Sequence, residues 1–157
     1  MYPKRKCRNF ASTPENVMAI DRQTLLAFIR AQKLAVVSTV SPDGAPEAAL
    51  VNIAVTDDLE LIFYALQTTR KCVNLRRDPR IAAVIGWENE TTLQVEGAAD
   101  EPRDEELERL KQVYRAARPD AGFQMAWPGL TYFRVRPRWA RFSRYGAKWS
   151  VDEIDLP

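Results

Sequence analysis

Between Leu59 and Arg80 the periodicity of the chain changes, and that change restricts the folds open to it. Leu59, Leu61 and Phe63 alternate with Glu60, Ile62 and Tyr64, the two-residue period of a strand with one face drier than the other. From Thr68 or Thr69 onward, Cys72, Val73 and Leu75 fall at helical spacing. Asp78-Pro79 ends this helix, because a residue before proline avoids the α region. Thr68 and Thr69 are candidate caps. A strand that passes through a hydroxyl-bearing turn into a helix start gathers unpaired N–H groups and the positive dipole end at one spot, which suits a phosphate. Arg70 and Lys71 put two cations in that first turn, an unfavourable place unless an anion lies nearby. The plainer account is a pair of solvated surface charges; the turn chemistry favours the anion.

Around this unit the chain reads as short strands joined by tight turns. Ile20 to Lys33 is an apolar-faced helix with Asp21 as N-cap, leading into a buried strand, Leu34 to Val40. Ser41-Pro42-Asp43-Gly44 is a turn, Ala45 to Thr56 a second strand, and Asp57-Asp58 turns the chain into the strand at Leu59. Ile81 to Trp87 and Thr91 to Ala99 form a meander. A helix follows Pro102 with acids in its first turn and a buried stripe of Leu107, Leu110, Val113 and Tyr114. Leu130 to Phe142 is a last strand, interrupted by Pro137. This pattern predicts a mainly β fold, a small antiparallel barrel with helices, as one domain over 20–157 preceded by a basic and polar arm over 1–19. With 6 glycines and no Gly-rich phosphate fingerprint, a Rossmann reading has no support.

Composition narrows the chemistry more than the fold. The chain has no histidine, which excludes Ser-His and Cys-His dyads, His-ligated zinc and a His-ligated haem supplied by this chain. Cys7 and Cys72 cannot form a zinc site by themselves and point to a reducing cytoplasm better than to a disulfide. Any chemistry is therefore expected from a bound cofactor, with no catalytic side chain and no metal assigned. A net charge of +2 argues against nucleic acid as the main partner, and no apolar run is long enough to span a membrane. Arg134, Arg136, Arg138, Arg141 and Arg144, with aromatics between them, could make an anion-binding face, but a solvated edge that blocks strand addition is the preferred reading.

The succession LAVVSTVSPDGAPEAALV, LELIFYALQTTRKCVNLRRDPRIAAVI, LQVEGAAD, a charged helix and a strand ending in RVRPRWARF resembles the FMN-binding split β-barrel family related to pyridoxamine 5′-phosphate oxidase, including its small general-stress-protein members. The resemblance runs from about Leu25 to Phe142. It implies a six-stranded antiparallel split barrel of Greek-key type and a homodimer with FMN at the subunit interface. By position, Thr69, Arg70 and Lys71 would hold the FMN phosphate, and Tyr64 and Ala65 would lie beside the ribityl chain or ring. Leu50, Val51, Asn52 and Ile53 would run past the isoalloxazine edge, Gln94 or Thr92 would reach the flavin from the partner side, and Trp87 would border the groove.

Two departures separate this chain from the true oxidases. Positions that would bring further basic residues to the phosphate are Ala49 and Ala54, and the tail has no counterpart to the oxidases' substrate-binding histidine and arginine. Oxidation of pyridoxamine phosphate is not expected. The resemblance implies instead an FMN-dependent oxidoreductase for another small molecule, passing hydride from a reduced nicotinamide or other donor to an acceptor. A non-catalytic flavin or stress-response protein, and an F420-dependent reductase on the same fold, are the alternatives. Taken singly, Gln94 also suits a solvent-facing strand position, Tyr64 and Trp87 suit packing, Glu96 an exposed carboxylate, and Cys72 a buried packing residue.

Overall fold

Strand propensity and turn chemistry lay down most of the sheet directly. The computed structural model describes residues 20–122, 124–146 and 149–157, so the arm expected over 1–19, with Cys7, lies outside them. Its strands are β1 (Leu34–Val40), β2 (Pro46–Asn52), β3 (Ala54–Val55), β4 (Leu61–Leu66), β5 (Arg80–Ile85), β6 (Thr91–Asp100), β7 (Leu130–Arg144) and β8 (Ser150–Asp155). The helices are α1 (Arg22–Ala31), α2 (Arg70–Arg77) and α3 (Asp104–Ala117). One antiparallel sheet runs β2-β1-β5-β6-β7-β4-β3, with β8 added to β7.

The eight strands contain the six expected ones. The second expected strand is divided at Ile53, whose N–H turns to the Lys33 carbonyl at 3.0 Å, so its last residues become β3 and pair with β4 instead of β1. The eighth strand lies in the tail. There β8 pairs with β7 over 139–144, while β4 pairs with the same edge of β7 over 130–135, leaving an interval around Pro137 paired with neither. Consequently β7 is not an edge strand. It is paired on both sides, which corrects the expectation of a solvated edge carrying the arginine run.

Inward-alternating residues of every long strand form one core, among them Ala35, Val37, Val51, Phe63, Ile81, Val95 and Phe133. Removing such surface from water is the main stabilising term, ~25 cal/mol per Å². At one barrel end α1 inserts Leu25 and Ile29, with Phe28 packed edge-on against Phe142 at 4.9 Å. Asp21 caps this helix as expected, its carboxylate accepting from the Thr24 N–H at 2.7 Å. At the opposite end α2 inserts Cys72 and Leu75. The third helix lies outside the barrel, where Leu110 and Tyr114 cover Ala54, Ile62 and Tyr132.

The Glu96-Gly97 pair marks a bulge. Glu96 is opposite Trp139 and Gly97 opposite Pro137, so Arg138 is an extra residue in β7. A Cβ at position 97 would come within 2.2 Å of the Arg136 carbonyl oxygen, so only glycine permits this approach.

Candidate functional site

The site expected from the sequence is built where β4 passes into α2. Thr69 occupies the N-cap position, but its hydroxyl donates backward to the Leu66 carbonyl at 2.8 Å and makes no cap. The start of α2 is therefore uncapped by any side chain, contrary to the role expected of Thr68 and Thr69. Arg70 and Lys71 follow in the first turn. Arg70 is 82% exposed and pairs with Glu47 of β2, so part of the anion that this turn calls for comes from the chain itself. No ion pair or hydrogen bond among the described residues involves Lys71. Burial pushes the Cys72 thiol up from its ordinary pKa, and its sulfur lies 3.2 Å from the Thr69 hydroxyl, an environment for a packing residue and not a thiolate.

Beside this turn runs an open seam. Among the described residues β2 pairs only with β1, and β2 approaches β4 without pairing to it. Alternate backbone groups along Pro46–Asn52 consequently face the seam unclaimed by the sheet. Leu50 points outward and is 59% exposed, whereas Val51, Ile53 and Ala65 point into the core and can offer only backbone atoms. The Asn52 side-chain oxygen already accepts from Arg118 at 3.0 Å. Tyr64 faces α3 in a cluster with Tyr114 and Tyr132, ring centroids 5.2 and 5.5 Å away, and its hydroxyl pKa is raised chiefly by burial. The Tyr64 ring thus lies against α3, whereas Leu50 to Ile53, Ala65 and Thr69 to Lys71 border one seam.

Gln94 is not among them. Leu50, Val36, Val84 and Gln94 are successive cross-strand partners, which sets Gln94 three strands away, about 14 Å at the usual strand spacing. Trp87 is farther still in the fold. It follows Gly86, which packs under Phe28 of α1, and so belongs to the barrel end opposite α2.

Three features were not read from the sequence. Glu47 is one. Another is Arg118, 7% exposed, which donates to the Lys33 carbonyl at 2.6 Å and to Asn52, and holds the Asp120 carboxyl below its usual pKa by hydrogen bonding. Third is a cavity of about 630 Å³ between the end of α1, β3 and the end of α3, walled by Ile29, Ile53, Val55, Val113, Ala117 and Arg118. An arginine at a helix end before proline gives no sequence sign of such burial. No cluster of metal-ligating side chains occurs among the described residues, and none of their helices is long and apolar enough to cross a membrane.

The β7 arginines are largely neutralised. Arg134 contacts Asp100, Glu106 and Glu60; Arg136 contacts Asp100 and Glu60; Arg141 and Arg144 reach Glu153 and Asp152.

Comparisons with known proteins agree with this architecture. Pyridoxine/pyridoxamine 5′-phosphate oxidase of Thermobifida fusca (strain YX) is 38% identical over 93 residues, covering 59% of this chain and 40% of the relative. The enzyme of the same name from Burkholderia vietnamiensis is 28% identical over 130 residues, covering 80% of this chain and 59% of the relative. The chain thus spans less than two thirds of the length of the curated relatives it matches. Among solved structures, a heme binding protein from Mycobacterium smegmatis superposes with a TM-score of 0.74 at 18% identity, over 88% of this chain and 60% of that one. General Stress Protein 26 from Bacillus anthracis superposes with a TM-score of 0.67 at 17% identity, over 86% of this chain and 98% of that one. The sequence profile of the pyridoxamine 5′-phosphate oxidase family matches residues 22–144, and the chain belongs to that family.

Proposed function

We propose that this protein is an FMN-dependent oxidoreductase acting on a small molecule, a homodimer with the flavin bound in the seam beside α2. The observation that carries the reading is the direct passage of β4 into α2, which collects an uncapped helix start, Arg70 and Lys71 at the end of an open strand edge. Two cations with backbone N–H groups match a phosphomonoester, whose charge-assisted hydrogen bonds are the strong ones. On this reading Thr69, Arg70 and Lys71 hold the phosphate, Tyr64 and Ala65 flank the ribityl chain or ring, and Leu50 to Ile53 present backbone groups to the ring edge. Bound flavin would supply the two-electron redox chemistry. The 630 Å³ cavity behind Ile53 has the volume of a small-molecule site and is where this reading puts the substrate.

Dimerisation is supported by the outer sheet face, where Leu50 and Val84 are 59% and 37% exposed in one cross-strand row with Val36. A second copy would cover this row and bring its own Gln94 to the seam, which one chain cannot do.

Titration with FMN and with F420, followed by fluorescence and visible absorbance, tests the reading, together with sedimentation to count subunits. Tight FMN binding by a dimer, then consumption of a reduced nicotinamide by the loaded protein, is the expected result. Selective F420 binding would transfer the assignment to that cofactor, and FMN binding without turnover of any donor would make the protein a flavin carrier. Absence of binding to either flavin would overturn the proposal.

A further inference from the structure

The Glu47 carboxylate lies between β2 and the start of α2, and its environment is unusual for a charged group. It alternates inward on β2 with Ala49 and Val51, and its side chain is 17% exposed. A carboxylate so placed requires partners. Oε2 accepts from the Asn74 side-chain amide at 2.9 Å, and Asn74, itself 2% exposed, also donates to the Thr39 hydroxyl at 3.0 Å. Oε1 is inaccessible to solvent and, among the described residues, accepts no regular hydrogen bond and has only the Arg70 guanidinium against it as a charge partner. The two halves of the pair differ: buried Asn74 fixes Glu47, whereas Arg70 is an exposed side chain free to turn.

We infer that Glu47 is the affinity-determining residue of the α2 anion site, an internal carboxylate that competes with the cofactor phosphate for Arg70. This rests on the phosphate reading above. An incoming phosphate draws Arg70 toward the first turn of α2, and Glu47 then keeps its buried position without a cationic partner. The same carboxylate also repels the phosphate across a partly dehydrated gap. Both effects lower affinity for a phosphorylated flavin and leave an unphosphorylated one alone. A strand residue whose neighbours are alanine and valine thereby tunes how firmly the cofactor is held.

Glu47→Gln removes the charge and keeps an oxygen for Asn74. Binding of FMN and of riboflavin, which lacks the phosphate, is measured by fluorescence titration for the native protein, Glu47→Gln, and Glu47→Gln with Arg70→Ala. Thermal melts establish that each is folded; if Glu47→Gln does not fold, Glu47→Ser removes the same charge. The expected result is FMN affinity raised about tenfold in Glu47→Gln, unchanged riboflavin affinity, and loss of the gain in the double variant. If the native protein prefers FMN to riboflavin but Glu47→Gln binds FMN no more tightly, the competition is refuted and the phosphate site stands. An equal gain for both flavins also refutes it, because the effect then lies in the seam or the fold. If native protein and variant alike fail to prefer FMN over riboflavin, the phosphate site fails and the inference with it.

Discussion

Two groups of basic residues behave in opposite ways in this protein. The run on β7 is the denser in sequence, yet Arg134 is 11% exposed at its side chain and held by Asp100, Glu106 and Glu60. The pair that opens α2 is sparser, yet Lys71 has no partner among the described residues and Arg70 has one, at a solvent-exposed position. What differs is the acid content of the elements packed alongside. β6 ends in Asp100, α3 begins with acids and Glu60 precedes β4, so β7 is neutralised from three directions. Around α2, Glu47 is the one acid in contact with the first-turn cations among the described residues. Charge density along a sequence is therefore a poor guide to anion binding; the pairing left after folding decides it.

The largest effect expected from this contrast is on stability. Arg134→Met should lower the free energy of unfolding by ~2–3 kcal/mol, because it strands partly buried carboxylates, with some relief from the solvent reaching Asp100 and Glu106. Denaturant titration measures the loss, and flavin affinity of the folded variant should be unchanged. A loss of FMN binding without a loss of stability would invert the assignment of structural and functional cations. Lys71→Ala should do the reverse. Removing one charge-assisted contact of about 1.5 kcal/mol weakens FMN binding roughly tenfold, leaves riboflavin binding alone and moves the denaturation midpoint little.

How much of this was legible in the sequence follows from the range of the interactions concerned. Strand period, the Pro42-Gly44 turn, the Asp21 cap and the strand-to-helix passage at Thr69 are set by neighbours along the chain, and each is found where the residues indicate. Glu47 meets Arg70 and Asn74 across more than twenty residues, and nothing in PEAALV distinguishes it from an ordinary solvent-facing strand acid. β8 escaped for another reason: SVDEID carries three acids, which lower its strand propensity, and it is stabilised as a strand by arginines opposite it on β7. That pairing is also why the arginine run is interior to the sheet. Asn52, read as a flavin contact, is claimed by Arg118, a residue that only the folded chain brings to it.

A smaller effect separates buried from exposed members of the β7 network. Arg136 shares Asp100 and Glu60 with Arg134 but is 53% exposed, so solvent screens its contacts. Arg136→Ala should cost under about 1 kcal/mol by the same denaturant titration, and the cost should shrink in high salt. A loss as large as that from Arg134→Met would mean that the network acts as a unit and that burial does not rank its members.

The smallest effect comes from the other end of α2, where charges suit the helix dipole. Arg76 donates to Glu101 and to the Gln67 carbonyl, and Arg77 to the carbonyls of Val40 and Ser41. Asp78 ends the helix on its negative pole, the wrong place for a carboxylate. Hydrogen bonds from Arg80 nevertheless lower its pKa to about 2. Because the folded value is the depressed one, the stabilisation is complete above the unfolded value near ~4 and is lost as pH falls through 2. Asp78→Asn should therefore lower stability at neutrality, with the difference from the native protein shrinking below pH ~4 and vanishing near pH 2, as read by thermal melts at successive pH values. An unchanged acid limb would place the local field of the helix end above the Arg80 contact, and would extend to α2 as a whole the question now confined to its first turn: whether side-chain partners or the helix dipole govern its charges.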